Sequence, residues 1–191
     1  MGGAEPFIKL KKKFLLDDPE NTEDVIDVDR ENGYGTKQIS EVREGLSTYN
    51  PENGPLFEWC YGQRTTILLT QSSGVKVKLW ISCLRQGDPN AGYFYQSADR
   101  KTLETLQTRL GPSSVVTSYF DDVSLFNAKK PPEENSSDST PETPMEIILN
   151  TLSNVNIQKT KQITQDDAQQ DDYETLGGFI GTTNPRRNHL K

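Results

Sequence analysis

Few residues in this chain have the types and spacing that catalysis requires. The one histidine, His189, lies in a polar stretch near the end of the sequence, so neither a Cys–His nor a Ser–His pair has a base within an apolar segment. Cys60 and Cys83, the only cysteines, sit among strand-forming residues. They read as small hydrophobes with free thiols in a reducing compartment, not as a disulfide framework. Asp121 and Asp122 are adjacent carboxylates beside a strand-like run, and neighbours on a strand point to opposite faces. No metal-ligand spacing, phosphate-binding loop or dinucleotide fingerprint occurs in the sequence. The expectation is a protein that is not an enzyme, with no cofactor and no metal.

The chemistry that remains is that of charge and apolar contact. Lys9, Lys11, Lys12 and Lys13 are set among Phe7, Ile8, Leu10, Phe14, Leu15 and Leu16. A helix starting at Pro6 puts Phe7, Leu10 and Phe14 on one face and turns Lys9, Lys12 and Lys13 away. Such a basic amphipathic segment suits an anionic membrane surface. At roughly 1 kcal/mol per lysine, the four would give only transient attachment. The plainer reading is an element docked on a core with its lysines in water. Gly2 invites N-myristoylation, although Pro6 stands where that motif prefers Ser or Thr.

An acidic block follows at once. Asp17, Asp18, Glu20, Glu23, Asp24, Asp27, Asp29 and Glu31, against Arg30 alone, carry −7, equal to the formal charge of the whole chain. Within it, Val25-Ile26-Asp27-Val28 resembles the SUMO-interacting motif. The resemblance implies an extended strand that adds to a partner's sheet edge through Val25, Ile26 and Val28. Further candidate contacts are Trp80 and Tyr93, aromatic residues near Lys76 and Lys78, because aromatic side chains concentrate binding energy. Ser139, Thr140 and Thr143 carry proline-directed or acid-directed phosphorylation signals. Phosphate on Thr143 would sit at a helix N-terminus. Asn135-Ser136-Ser137 matches a glycosylation sequon, which goes unused without secretion. Tyr173-Glu174-Thr175-Leu176 matches a tyrosine tetrapeptide of the sorting or phosphotyrosine type.

These residues need a scaffold, and the chain divides into five zones. Residues 1–55 read as a charged flexible arm with one short helix between Lys37 and Leu46, where Ile39, Val42 and Leu46 repeat at helical spacing. Residues 56–127 hold the core. Leu56–Tyr61, Arg64–Gln71, Val75–Arg85 and Gly92–Gln96 read as strands, then a helix begins at Ser97, and Ser114–Phe120 is a last strand. In the third, Val75, Val77, Leu79, Ile81 and Cys83 alternate with polar residues, the pattern of a hairpin with one buried face. Residues 128–143 are a disordered linker, too polar to offset the entropy of ordering. Residues 144–158 form an amphipathic helix, its start marked by Thr143-Pro144-Met145-Glu146 and its stripe by Met145, Ile148, Leu149 and Leu152. Residues 159–191 are a polar tail. The fold expected is α+β, a small antiparallel β-sheet with one or two packed helices and disordered arms at both ends.

With 191 residues, 32% of them hydrophobic, and a mean hydropathy of −0.74, one domain is the natural size. A pI near 4.8 disfavours nucleic acid as a direct ligand. No run approaches the ~20 apolar residues of a membrane span, and the N-terminal lysines interrupt any signal-peptide core. The expected location is the cytoplasm, at the inner face of a membrane, with the nucleus as alternative. The function expected is a non-catalytic peripheral scaffold or matrix-like accessory protein, with a virus as one source. It would bridge an anionic membrane surface and protein partners and associate with itself through the hairpin. The alternative is a soluble regulatory adaptor that binds through linear motifs in its acidic arm and C-terminal helix.

Overall fold

The computed structural model describes residues 5–17, 20–63, 65–129, 142–170, 173–175 and 178–180. In chain order the elements are α1 (Glu5–Asp17), β1 (Thr22–Val28), α2 (Gly33–Thr36), α3 (Ile39–Tyr49), a 3-10 turn (Pro51–Asn53), α4 (Gly54–Tyr61), β2 (Thr65–Thr70), β3 (Lys76–Ile81), α5 (Ala91–Leu110), β4 (Ser114–Tyr119), β5 (Asp122–Ala128), α6 (Pro144–Thr151), β6 (Lys161–Thr164), α7 (Gln165–Gln170), β7 (Tyr173–Thr175) and β8 (Gly178–Ile180). The fold is mixed α+β. The chain forms two compact units, one from Met1–Arg30 with Glu104–Lys191 and one from Glu31–Leu103.

The first unit is built on a four-stranded antiparallel sheet in the order β4-β5-β1-β6. β1 lies inside it, with Val25 opposite Phe126 on one side and Ile163 on the other. Val25, Phe126 and Ile163 share a face, and Leu15 of α1 and Ala168 of α7 pack on it in one buried cluster. On the opposite face Ile26, Val28, Val123 and Leu125 are buried as well. Asp24, buried on that face, is satisfied across three strands: Asn127 Nδ2 donates to it at 2.6 Å and Gln162 Nε2 donates to its other oxygen. Residues 5–17, 22–28 and 161–170, expected in an arm and a tail, supply one inner strand, one edge strand and two packed helices of this unit. The reason is long-range. Thr22–Val28 is acidic by composition, but its apolar residues find β5 and β6 more than 90 positions away in sequence.

The second unit packs Val42 and Leu46 of α3, Phe57 and Tyr61 of α4, Leu84, and Phe94 and Tyr95 of α5 into one core. Two expected strands are helical here. Leu56–Tyr61 lies in α4, where Pro55 stands in the first turn. Phe57 and Tyr61, four residues apart, stack at 5.4 Å, and each meets the ring of Phe94 edge-on. Gly92–Gln96 lies in α5, which starts six residues before Ser97. Its first turn is set by Asp88, whose carboxylate accepts from the Asn90 N–H at 2.9 Å and whose carbonyl accepts from Ala91 N–H. Aromatic runs favour strands locally, and packing overrides that preference. Asp99, which a helix begun at Ser97 would carry in its first turn, is instead buried mid-helix and ion-paired with Lys37 at 2.7 Å. The free thiols of Cys60 and Cys83 are both partly buried.

Candidate functional site

The lysine-rich segment folds as α1, and its apolar residues other than the exposed Leu10 face inward. Leu15 is fully buried, the Phe14 ring meets Phe126 edge-on at 5.1 Å, and Phe7 packs on Tyr119 at 5.4 Å. Thr22 Oγ1 donates to the Phe14 carbonyl at 2.7 Å, tying the helix to β1. Of the residues expected to meet a membrane, Phe7 and Phe14 are therefore partners of the sheet. Lys11 is a correction: it is 1% exposed, and its Nζ lies 2.6 Å from Asp27 Oδ1. Ser124 Oγ donates to the same oxygen at 2.8 Å. A buried lysine on a basic helix was not to be told from its exposed neighbours without the acids opposite. Lys9, Lys12 and Lys13 remain exposed. Near this pair, burial pushes the Asp122 carboxyl up to about 6, with Asp121 adding to the shift and Lys11 opposing it.

The segments expected to serve as linear motifs are used internally. Val25, Ile26 and Val28 are buried in the sheet, because both edges of β1 are occupied by β5 and β6. That leaves no edge of β1 for a partner's strand. The amphipathic helix ends at Thr151 rather than 158, as Leu152 is already extended at φ −91° and ψ 135°. Ile148 and Leu152 are buried, Met145 is half-buried and Leu149 is exposed. At its start Thr143 and Glu146 form the expected capping box, with the Thr143 N–H donating to Glu146 Oε2 at 2.7 Å. Those hydrogen bonds from Thr143 hold the Glu146 carboxyl below its ordinary range. Ser139, Thr140 and the Asn135 sequon lie outside the described residues.

What stays open to solvent is the β2–β3 hairpin. Its register runs without interruption from Thr65 opposite Ile81 to Thr70 opposite Lys76. One face carries Ile67, Leu69, Val77, Leu79 and Ile81, and the other carries Leu68 and Trp80 with Lys76 and Lys78. The expected buried face is a further correction: Val75 and Leu79 are exposed, Val77, Ile81 and Cys83 are only partly buried, and Ile67 and Leu69 beside them are exposed too. On the second face Leu68 is 66% and Trp80 57% exposed, with Lys78 Nζ 4.7 Å from the Trp80 ring centroid. Trp59 on α4 is 83% exposed. Tyr93, also exposed, accepts a hydrogen bond from Asn53 Nδ2 at 2.9 Å. Reading the sequence for alternation missed Ile67, Leu68, Leu69 and Trp59. The signal was the unbroken triplet Ile67-Leu68-Leu69, which must put apolar side chains on both faces.

The clefts of the second unit offer less. One of about 420 Å³ is lined by Arg43, Tyr61, Cys83 and Arg85. Its cations are engaged, Arg43 with Glu58 at 2.6 Å and Arg85 with Asp88 at 3.1 Å. Among the described residues, no group of three or more His, Cys, Asp or Glu is placed to hold a metal ion. None of their helices is long and apolar enough to cross a membrane. No protein-family model matches the chain, and no curated protein matches it either.

Proposed function

We propose that this chain is a non-catalytic peripheral scaffold or matrix-like accessory protein, acting in the cytoplasm at the inner face of a membrane. Its work is adhesion. The observation that carries this reading is the β2–β3 hairpin, whose apolar side chains lie in solvent on both faces. Exposed apolar area of this kind marks interaction sites. From Trp59 to Gly87 the chain has four bases and no acid, so the remainder of a chain carrying −7 holds −11. The hairpin is thus a cationic, apolar arm on an acidic protein. The membrane contact is mainly electrostatic, through the exposed Lys9, Lys12 and Lys13 of α1, because the apolar side chains of that helix other than the exposed Leu10 are engaged with the sheet. At roughly 1 kcal/mol per lysine, this contact is weak and salt-sensitive. The adaptor alternative is disfavoured, since its motif in β1 and two of the four residues of its helical stripe, Ile148 and Leu152, are buried.

Flotation with vesicles containing anionic lipid tests the reading. The intact chain floats in low salt, while a chain with Lys12→Glu and Lys13→Glu does not. Chemical cross-linking on the vesicles yields oligomers that Leu79→Asp with Trp80→Asp abolishes. A chain that does not float removes the membrane role, and unchanged cross-linking in the hairpin variant removes the hairpin.

A further inference from the structure

The two edges of the hairpin differ. β3 carries Lys76 and Lys78, charges of the kind that guard an open edge against another strand. β2, Thr-Thr-Ile-Leu-Leu-Thr, has no charge, no proline and no bulge. Among the described residues, only β3 pairs with it, and its outer edge meets no strand. An isolated two-stranded ribbon is marginal in water, and further strands are what stabilise an apolar face.

Within β2 the polar/apolar pattern of residues 66–70 also reads the same in both directions. About Leu68, the residues run Thr66, Ile67, Leu68, Leu69, Thr70, polar at both ends and apolar at the three central positions. From this symmetry and the unguarded edge we infer that the occupant of the β2 edge is β2 of a second copy of this chain, antiparallel and centred on Leu68. The inference rests on the proposed adhesive role of the hairpin and gives it a partner and a register.

The geometry is self-consistent. With Leu68 opposite Leu68 of the second copy, Ile67 faces Leu69 and Thr66 faces Thr70. Each residue then keeps its face of the sheet, because positions of the same parity are paired. The open faces of Ile67, Leu69, Val77, Leu79 and Ile81 in the two copies join into one face of a four-stranded sheet in the order β3-β2-β2-β3. The contact is two-fold and closed, so it ends at a dimer. The like charges fall where they do least harm. Lys78 pairs with Leu68 within each copy, so the two Lys78 positions are three strand spacings apart, about 14 Å. That exceeds the ~8 Å Debye length of physiological salt. Insertion of the hairpin tip into lipid is disfavoured, because the tip is Gln71-Ser72-Ser73-Gly74.

A charge swap at the two-fold tests this on the full-length chain by sedimentation velocity. Leu68 is mostly solvent-exposed within one copy, so Leu68→Lys and Leu68→Glu should keep the protomer's fold, which an unchanged circular dichroism spectrum checks. The wild-type chain sediments as a dimer. Each variant alone sediments as a monomer, since it places like charges directly opposite one another, and an equimolar mixture of the two restores the dimer. A monomeric wild type, a variant that dimerises alone, or a mixture that stays monomeric overturns the inference. If the wild type is monomeric and its cross-linking on vesicles still depends on Leu79 and Trp80, the self-pairing is refuted while the adhesive role stands. If both experiments fail, neither survives.

Discussion

At the scale of single residues, charge burial in the first unit decides more than charge count. Lys11 and Asp122 illustrate it. In sequence Lys11 is one of four lysines in five positions, and only the fold gives it Asp27 as a partner at 2.6 Å. Asp122 lies close to the same acids and is pushed from 3.8 to about 6, chiefly by burial. Above pH 6 this carboxylate is charged in both folded and unfolded chains, and the folded state bears the whole desolvation cost. As pH falls through 6 the folded chain takes up a proton first, so this group's cost shrinks and is gone below 3.8. Its contribution therefore runs opposite to that of a salt-bridged aspartate. The expectation is that Asp122→Asn stabilises the protein near pH 7, on the order of 1–2 kcal/mol once solvent screening of this partly exposed carboxyl is allowed for. The gain should be mostly lost by about pH 4 and is gone well below 3.8, where the wild-type group is neutral in both states. Urea denaturation of both proteins at pH 7 and pH 4 measures it, and a variant no more stable at pH 7 contradicts the argument.

At the scale of elements, the sequence was most legible where the signal is local. The capping box at Thr143, the turns at Ser72-Ser73-Gly74 and Gly111, the β3 strand and the α3 stripe of Ile39, Val42 and Leu46 stand where their residues place them. It was least legible where the deciding contact is remote. Tyr93-Phe94-Tyr95 has the composition of a strand and becomes helix because Phe94 and Tyr95 fill the core beside Phe57 and Tyr61. Val123–Ala128, not picked out as a strand in its own right, pairs with β1 almost one hundred residues earlier. Alternation in Val75–Ile81 correctly marked a strand but could not reveal whether anything covers it. Gly45 belongs with the illegible residues, since inside an exposed helical pattern it looks like a flaw. In the fold a Cβ there would lie 2.2 Å from the Ser97 carbonyl oxygen, so α3 and α5 touch through this glycine. Gly45→Ala is expected to destabilise by about 1–3 kcal/mol despite the better helix propensity of alanine. A lower melting temperature is the readout, and an unchanged one denies the close approach.

At the scale of the whole molecule, the contrast between an acidic protein and its acid-free hairpin predicts opposite responses to salt. Two copies that each carry −7 repel, and the seam through β2 contains no charge of its own. Added salt screens the repulsion and leaves the apolar contact intact, so dimerisation should strengthen as salt rises. Contact with anionic vesicles depends on a few lysines of α1 acting against that same net charge. Salt screens the attraction, so flotation should weaken over the same range. Raising monovalent salt from about 50 mM to about 500 mM shortens the screening length several-fold, enough to separate the two behaviours. Sedimentation velocity and flotation, run on one preparation across that range, give slopes of opposite sign if the two contacts are what they are proposed to be. A dimer that dissolves as salt rises would mean that charge holds it together. The seam would then lie along Lys76 and Lys78 and the acids of a second copy rather than along Ile67, Leu68 and Leu69.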